Sequence, residues 1–97
     1  MSRFKLSAPA RQDLREIRDY IAQDNPTAVR RLLATFTQAF RGLAETPRKG
    51  HTREDLTDLP VRFWPVGSYL IVYDSEKRPI EILRILHGAR DVEAILA

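Results

Sequence analysis

Val61-Arg62-Phe63-Trp64-Pro65-Val66-Gly67-Ser68-Tyr69-Leu70-Ile71-Val72-Tyr73 is where the chain changes from a helical to an extended pattern. Val61 and Phe63 alternate with Arg62 and Trp64, the period of two that a strand requires. Pro65 offers no N–H to a ladder and limits this strand to an edge or a bulge. Gly67-Ser68 turns the chain. Tyr69 to Tyr73 is almost continuously apolar, as in a central strand covered on both faces. Ser75 to Pro79 follows as a hairpin loop, and Ile80 to Leu86 is a third, mostly apolar β run. Gly88 breaks it. Ala89, Val92, Ile95 and Leu96 suggest a short C-terminal helix. The strands are expected at 61–65, 69–74 and 80–86.

Upstream the period is 3.6. Val29, Leu32, Leu33, Phe36, Phe40 and Leu43 form one stripe of a helix that ends before Pro47. Ala10, Leu14, Ile17 and Ile21 form the stripe of an earlier helix. Ser7 is placed to cap it and Pro9 suits its first turn. Arg11, Asp13, Arg15, Glu16, Arg18 and Asp19 fall on its wet faces. Asp24-Asn25-Pro26 separates the two helices by so little that they should form an antiparallel hairpin over 8–45. Residues 25–44 contain no acid and three arginines, Arg30, Arg31 and Arg41, so the hairpin carries a basic outer face. Arg3 to Ser7 alternates as a short N-terminal strand. Residues 47–60 read as a polar loop with a turn of helix near Arg53 to Leu56.

The resulting fold class is α+β: an N-terminal strand, a two-helix hairpin packed on a mainly antiparallel sheet, and a short C-terminal helix, within one domain over 1–97. One hairpin covers one sheet face. The last two strands supply apolar residues to both, so the opposite face is expected to take a partner.

Composition narrows the chemistry. The 97 residues include no cysteine, which excludes disulfides, thiolate catalysis and cysteine-ligated zinc. His51 and His87 lack ligand spacing, so neither a metal nor an organic cofactor is expected. No apolar run approaches the ~18 residues of a membrane span, and Met1-Ser2-Arg3-Phe4 lacks a signal-peptide core, so a cytoplasmic protein without membrane contact is expected. Sixteen bases against 13 acids give a net charge of +3, which suits an acidic protein partner at least as well as nucleic acid.

Candidate functional residues follow. Arg84 lies inside an apolar strand, where it needs either a salt-bridge partner, such as Glu81 or an acid elsewhere, or a role at an anion or partner site. His87 closes that strand and is the natural acid–base group near neutral pH. Its alternative is a strand-end histidine bonded to backbone. Strict alternation puts Arg84 and His87 on opposite faces, and a shared site would require a bulge or an early end to the strand. Arg62 and Trp64 share a face, as a partner anchor or a shielded edge. Arg48, Lys49, His51 and Arg53 form a basic loop cluster.

The order of several segments resembles the RelE/ParE family of type II toxin–antitoxin toxins. They are Leu6-Ser7-Ala8-Pro9-Ala10, Asp13-Leu14-Arg15-Glu16-Ile17, Asn25-Pro26-Thr27-Ala28, Leu43-Ala44-Glu45-Thr46-Pro47-Arg48-Lys49-Gly50, Val66 to Tyr73, and Ile82 to Asp91. The resemblance implies two activities: ParE-like inhibition of DNA gyrase, or RelE-like cleavage of messenger RNA on the ribosome. Cleavage needs a base, an acid and cations at the phosphate, for which His87, Arg62 and Arg84 are the candidates. The chain departs from the RelE pattern. That pattern has several lysines around the loop and first sheet strands, where here Lys49 stands alone among arginines, and it has a tyrosine near the C-terminus, whereas no tyrosine follows Tyr73. The ending His87-Gly88-Ala89-Arg90-Asp91 resembles ParE. The gyrase-directed, non-enzymatic reading is therefore preferred over the ribonuclease, and over a third class, a non-toxic antitoxin-binding module. The resemblance further implies a ParD-like antitoxin, bound through its C-terminal segment in a hetero-oligomeric complex. Arg62, Trp64, Tyr69, Arg84, His87 and Arg90 are its expected contacts.

Overall fold

The computed structural model describes residues 3–88. The terminal helix expected near 89–96, and Arg90 with it, lie outside the described residues. The elements run β1 (Phe4–Leu6), α1 (Ala8–Asp24), α2 (Pro26–Glu45), a 3-10 turn (Pro47–Lys49), β2 (Arg62–Val66), β3 (Tyr69–Asp74) and β4 (Ile80–His87). The sheet order is β1-β4-β3-β2. β1 runs parallel to β4, and the other pairs are antiparallel.

Local chemistry sets the helix limits. The Ser7 side chain accepts from the Ala10 N–H at 3.1 Å and its hydroxyl donates to the Leu83 carbonyl at 2.8 Å, so one residue caps α1 and ties it to β4. Asn25 ends α1 by donating its N–H to the Ile21 carbonyl, and its side chain then caps α2 through Ala28 N–H at 3.1 Å. This double use of Asn25 makes the hairpin tight. At the β2–β3 turn Gly67 has φ 58°, the left-handed geometry that a two-residue hairpin favours.

The hairpin packs on one sheet face, where Phe36, Phe40 and Leu43 of α2 meet Ile71, Tyr73, Ile80, Ile82 and Ile85. The expectation of a bare second face is corrected. Leu70, Val72 and Leu86 on that face are 8%, 0% and 4% exposed. They form a second core with Val61 and Phe63, against which Leu56 and Leu83 pack. The loop after Gly50 supplies the cover. Its single helical turn, in which Leu56 and Thr57 N–H groups donate to the Arg53 carbonyl, brings Leu56 inward. The second face is thus largely closed within the chain.

Tyr73 anchors the loop's start. Its buried hydroxyl donates to the Pro47 carbonyl at 2.6 Å and accepts from the Gly50 N–H at 2.8 Å. A Cβ on Gly50 would sit 2.6 Å from Cε1 of the Tyr73 ring, so only glycine fits there. Tyr73→Phe strands both backbone groups and should cost about 1–3 kcal/mol of unfolding free energy in urea denaturation. Burial pushes the Tyr73 hydroxyl above its ordinary pKa of 10.0, more than the Gly50 bond and the Arg62 charge lower it. A raised pKa means the folded state holds its proton longer than the unfolded chain. This contribution to stability is complete below pH 10 and is lost as pH rises through the folded-state value. A pH series of thermal melts should show a steeper alkaline loss in wild type than in Tyr73→Phe.

Candidate functional site

β1 pairs with β4 only as far as Leu6↔Ile82. Beyond that point the side of β4 next to α1 has no strand neighbour among the described residues, and α1 takes over. The Ser7 N–H donates to the Ile82 carbonyl at 3.0 Å. The Asp13 carboxylate accepts from the Ile85 N–H at 2.9 Å. It also accepts a forked pair from Arg84, Nε at 2.8 Å and Nη2 at 2.9 Å. Asp13 is 7% exposed, which corrects its placement on the wet face of α1. It lies three residues after Ala10 and four before Ile17, on the apolar stripe itself. A carboxylate is tolerated there because three N–H groups reach it.

The partner expected for Arg84 is therefore an acid elsewhere, Asp13, while Glu81 pairs with Lys77 at 2.9 Å. The bond to Asp13 raises the Arg84 pKa further above its ordinary value. Burial opposes the rise, and the charges of Asp13 and Glu16 assist it. Arg84 stays charged at any working pH.

A bulge does occur in β4. The register steps from Tyr73↔Ile82 to Val72↔Arg84, so Leu83 is the extra residue. It falls before Arg84 and leaves Arg84 and His87 on opposite faces. His87 pairs with Tyr69, and their rings lie 5.2 Å apart. Tyr69 meets Phe36 edge-on at 5.5 Å, so α2 fixes the tyrosine against which His87 rests.

Arg62 and Trp64 do share a face, but at the other edge of the sheet. Arg62 donates to the Gly50 carbonyl at 2.8 Å. Trp64 is half-buried, with Lys49 Nζ 4.7 Å from its ring centre and the His51 ring stacked at 6.3 Å. His51 exchanges two backbone hydrogen bonds with Phe63 at 2.8 and 2.7 Å. Together with Pro65 this closes the β2 edge to strand addition. The arrangement is that of a shielded edge. Lys49 and His51 were legible only as part of a basic loop, because their contact with Trp64 is made by folding.

Arg62 stands beside Tyr73, and His87 beside Tyr69, on opposite sides of β3. Strand geometry puts their Cα atoms roughly 16 Å apart, from a ~3.3 Å rise per residue and a ~4.8 Å strand spacing. With Arg84 held by Asp13, the three residues proposed for RNA cleavage are not brought together.

A cleft of about 550 Å³ opens between α1 and the ends of β3 and β4. Ile17, Tyr69 and Ile85 give it an apolar interior, and the exposed Glu16, Tyr20 and His87 edge it. Of the expected contact residues among those described, only Tyr69 and His87 line it. Glu16 and Tyr20 were missed. They sit one turn apart, at i and i+4 on α1, but nothing in their spacing distinguishes a cleft edge from a solvated face.

Residues 4–92 match the profile of the family described as the ParE toxin of the type II toxin–antitoxin system parDE. The chain belongs to the ParE/RelE family of type II toxin–antitoxin toxins. It is 38% identical over 79 residues to toxin RelE2 of Caulobacter vibrioides, covering 80% of this chain and 85% of that one. Its fold is similar to a chain of a chromosomal ParDE toxin–antitoxin system from P. aeruginosa, with a TM-score of 0.74 at 21% identity, covering 91% of this chain and 97% of that one. No helix among the described residues of this family member is long and apolar enough to cross a membrane.

Proposed function

We propose that this toxin acts in the cytoplasm without cutting RNA, inhibiting DNA gyrase and so replication, and that a ParD-like antitoxin holds it inactive in a hetero-oligomeric complex. The observation that carries the non-nucleolytic part is the dispersal of its acid–base and cationic groups. A phosphodiester transition state needs them within hydrogen-bond reach of one phosphate. Here Arg62 serves the Gly50 carbonyl and Arg84 serves Asp13, while His87 edges a cleft whose described lining holds neither arginine. Residues 89–97 add Arg90, Asp91 and Glu93 but no histidine, tyrosine or lysine. Gyrase as the target is supported by the family resemblance and by the ParE profile.

The antitoxin's docking over the sheet's second face loses its original support, since that face is buried. The cleft beside α1 is the alternative. Charge reversal at Arg84 would break the Asp13 pair, so it reports on folding before it reports on binding.

Induction in a bacterial host separates the readings. A gyrase inhibitor should cause filamentation and a DNA-damage response while translation continues. Immediate arrest of translation would favour the ribonuclease, the activity for which the RelE-like alternative stands. Unimpaired growth would favour a non-toxic binding module.

A further inference from the structure

We infer that the cleft between α1 and the end of β4 receives a short antitoxin segment presenting an aliphatic side chain beside an arginine or lysine. This rests on the antitoxin-held reading above and specifies the chemistry of the contact. The cleft's volume, about 550 Å³, suits one or two large side chains. Ile17, Tyr69 and Ile85 supply the apolar surface that an aliphatic group would cover.

The sign of the second group follows from charge. The whole chain is basic, with 16 bases against 13 acids. The described lining of the cleft nevertheless holds two carboxylates and neither arginine nor lysine. Arg84 neutralises Asp13. Glu16 feels the Arg84 charge but makes no salt bridge among the described residues, and the Gln12 amide at 3.1 Å is its hydrogen-bonding neighbour. Arg15, next to Glu16 on the helix, is turned to Gln12 at 2.7 Å. A cationic side chain entering here meets Glu16 beside apolar surface, and Tyr20, 67% exposed, offers its ring for stacking on a guanidinium. An acidic segment would place like charge against Glu16 where water is partly displaced.

The test is calorimetric titration of the purified antitoxin encoded beside this chain's gene into wild type, Glu16→Gln, Glu16→Lys and Arg30→Glu. Arg30 lies exposed on α2, away from the cleft lining. Glu16→Lys should weaken binding at least ~10-fold, which is about 1.4 kcal/mol. Glu16→Gln should weaken it several-fold, and Arg30→Glu should change it less than about twofold, as a remote surface charge does. Melting temperatures of the free variants should coincide, because Glu16 is exposed. Reversing one basic residue of the antitoxin should restore affinity for Glu16→Lys. Unchanged affinity of Glu16→Lys would place the antitoxin elsewhere, and tighter binding would mean an acidic occupant. Either result overturns the inference while leaving the antitoxin reading intact. Failure of wild type to bind at all would overturn both.

Discussion

Asp13→Ala should cost about 3 kcal/mol of folding free energy, towards the lower end for breaking a buried ion pair because the Arg84 side chain is 29% exposed. The substitution removes a cation's partner and a backbone acceptor together. The Ile85 N–H would be left without its acceptor on the side of β4 that has no strand neighbour among the described residues, and Arg84 would lose the carboxylate that holds its guanidinium. A domain of this size is stabilised by only ~5–15 kcal/mol in total, so the loss is a large share of the whole. The expected melting point falls by more than about 10 °C. Asp13→Asn keeps an acceptor for Ile85 but no charge for Arg84, and should fall between the two. Calorimetric melts of the three proteins give the order. Equal stability of wild type and Asp13→Ala would mean that α1 is held to the sheet by its apolar stripe alone.

The second large effect concerns RNA. Purified protein added to ribosomes carrying a defined message should leave that message intact, as judged by primer extension. The reason is geometric: a phosphate at His87 is beyond the reach of Arg62, some 16 Å away by strand spacing. Were His87 the acid–base group of a ribonuclease, His87→Ala would reduce cleavage by ~10²–10⁴-fold. Cleavage in wild type that disappears in His87→Ala would contradict the preferred reading directly.

The helices and strands were legible because each is written as a repeated spacing or, in β3 and β4, as a short apolar run. The stripe from Val29 to Leu43 ends ahead of Pro47, and α2 ends at Glu45. The expected strand at 61–65 is observed as Arg62–Val66, and that at 80–86 as Ile80–His87. Pro65 correctly placed β2 at an edge. What periodicity does not encode is pairing between distant residues. Asp13 and Arg84 are 71 positions apart, and an acid on a helix carries no mark of the strand that will donate to it. The same limit explains the second core. Leu56 stands in a polar stretch, and its burial depends on how the loop after Gly50 folds back over Val72 and Leu86. Of the six expected contacts, Tyr69 and His87 lie together at the cleft. Arg62 and Trp64 do not, because apolar alternation places residues on a face but not at one end of it.

The account turns on the target, and the most direct measurement is DNA supercoiling by purified gyrase with this toxin added. The expected result is inhibition that rises with toxin concentration and is reversed by adding the antitoxin. Undiminished supercoiling at saturating toxin, from a preparation that arrests growth when induced, would contradict it.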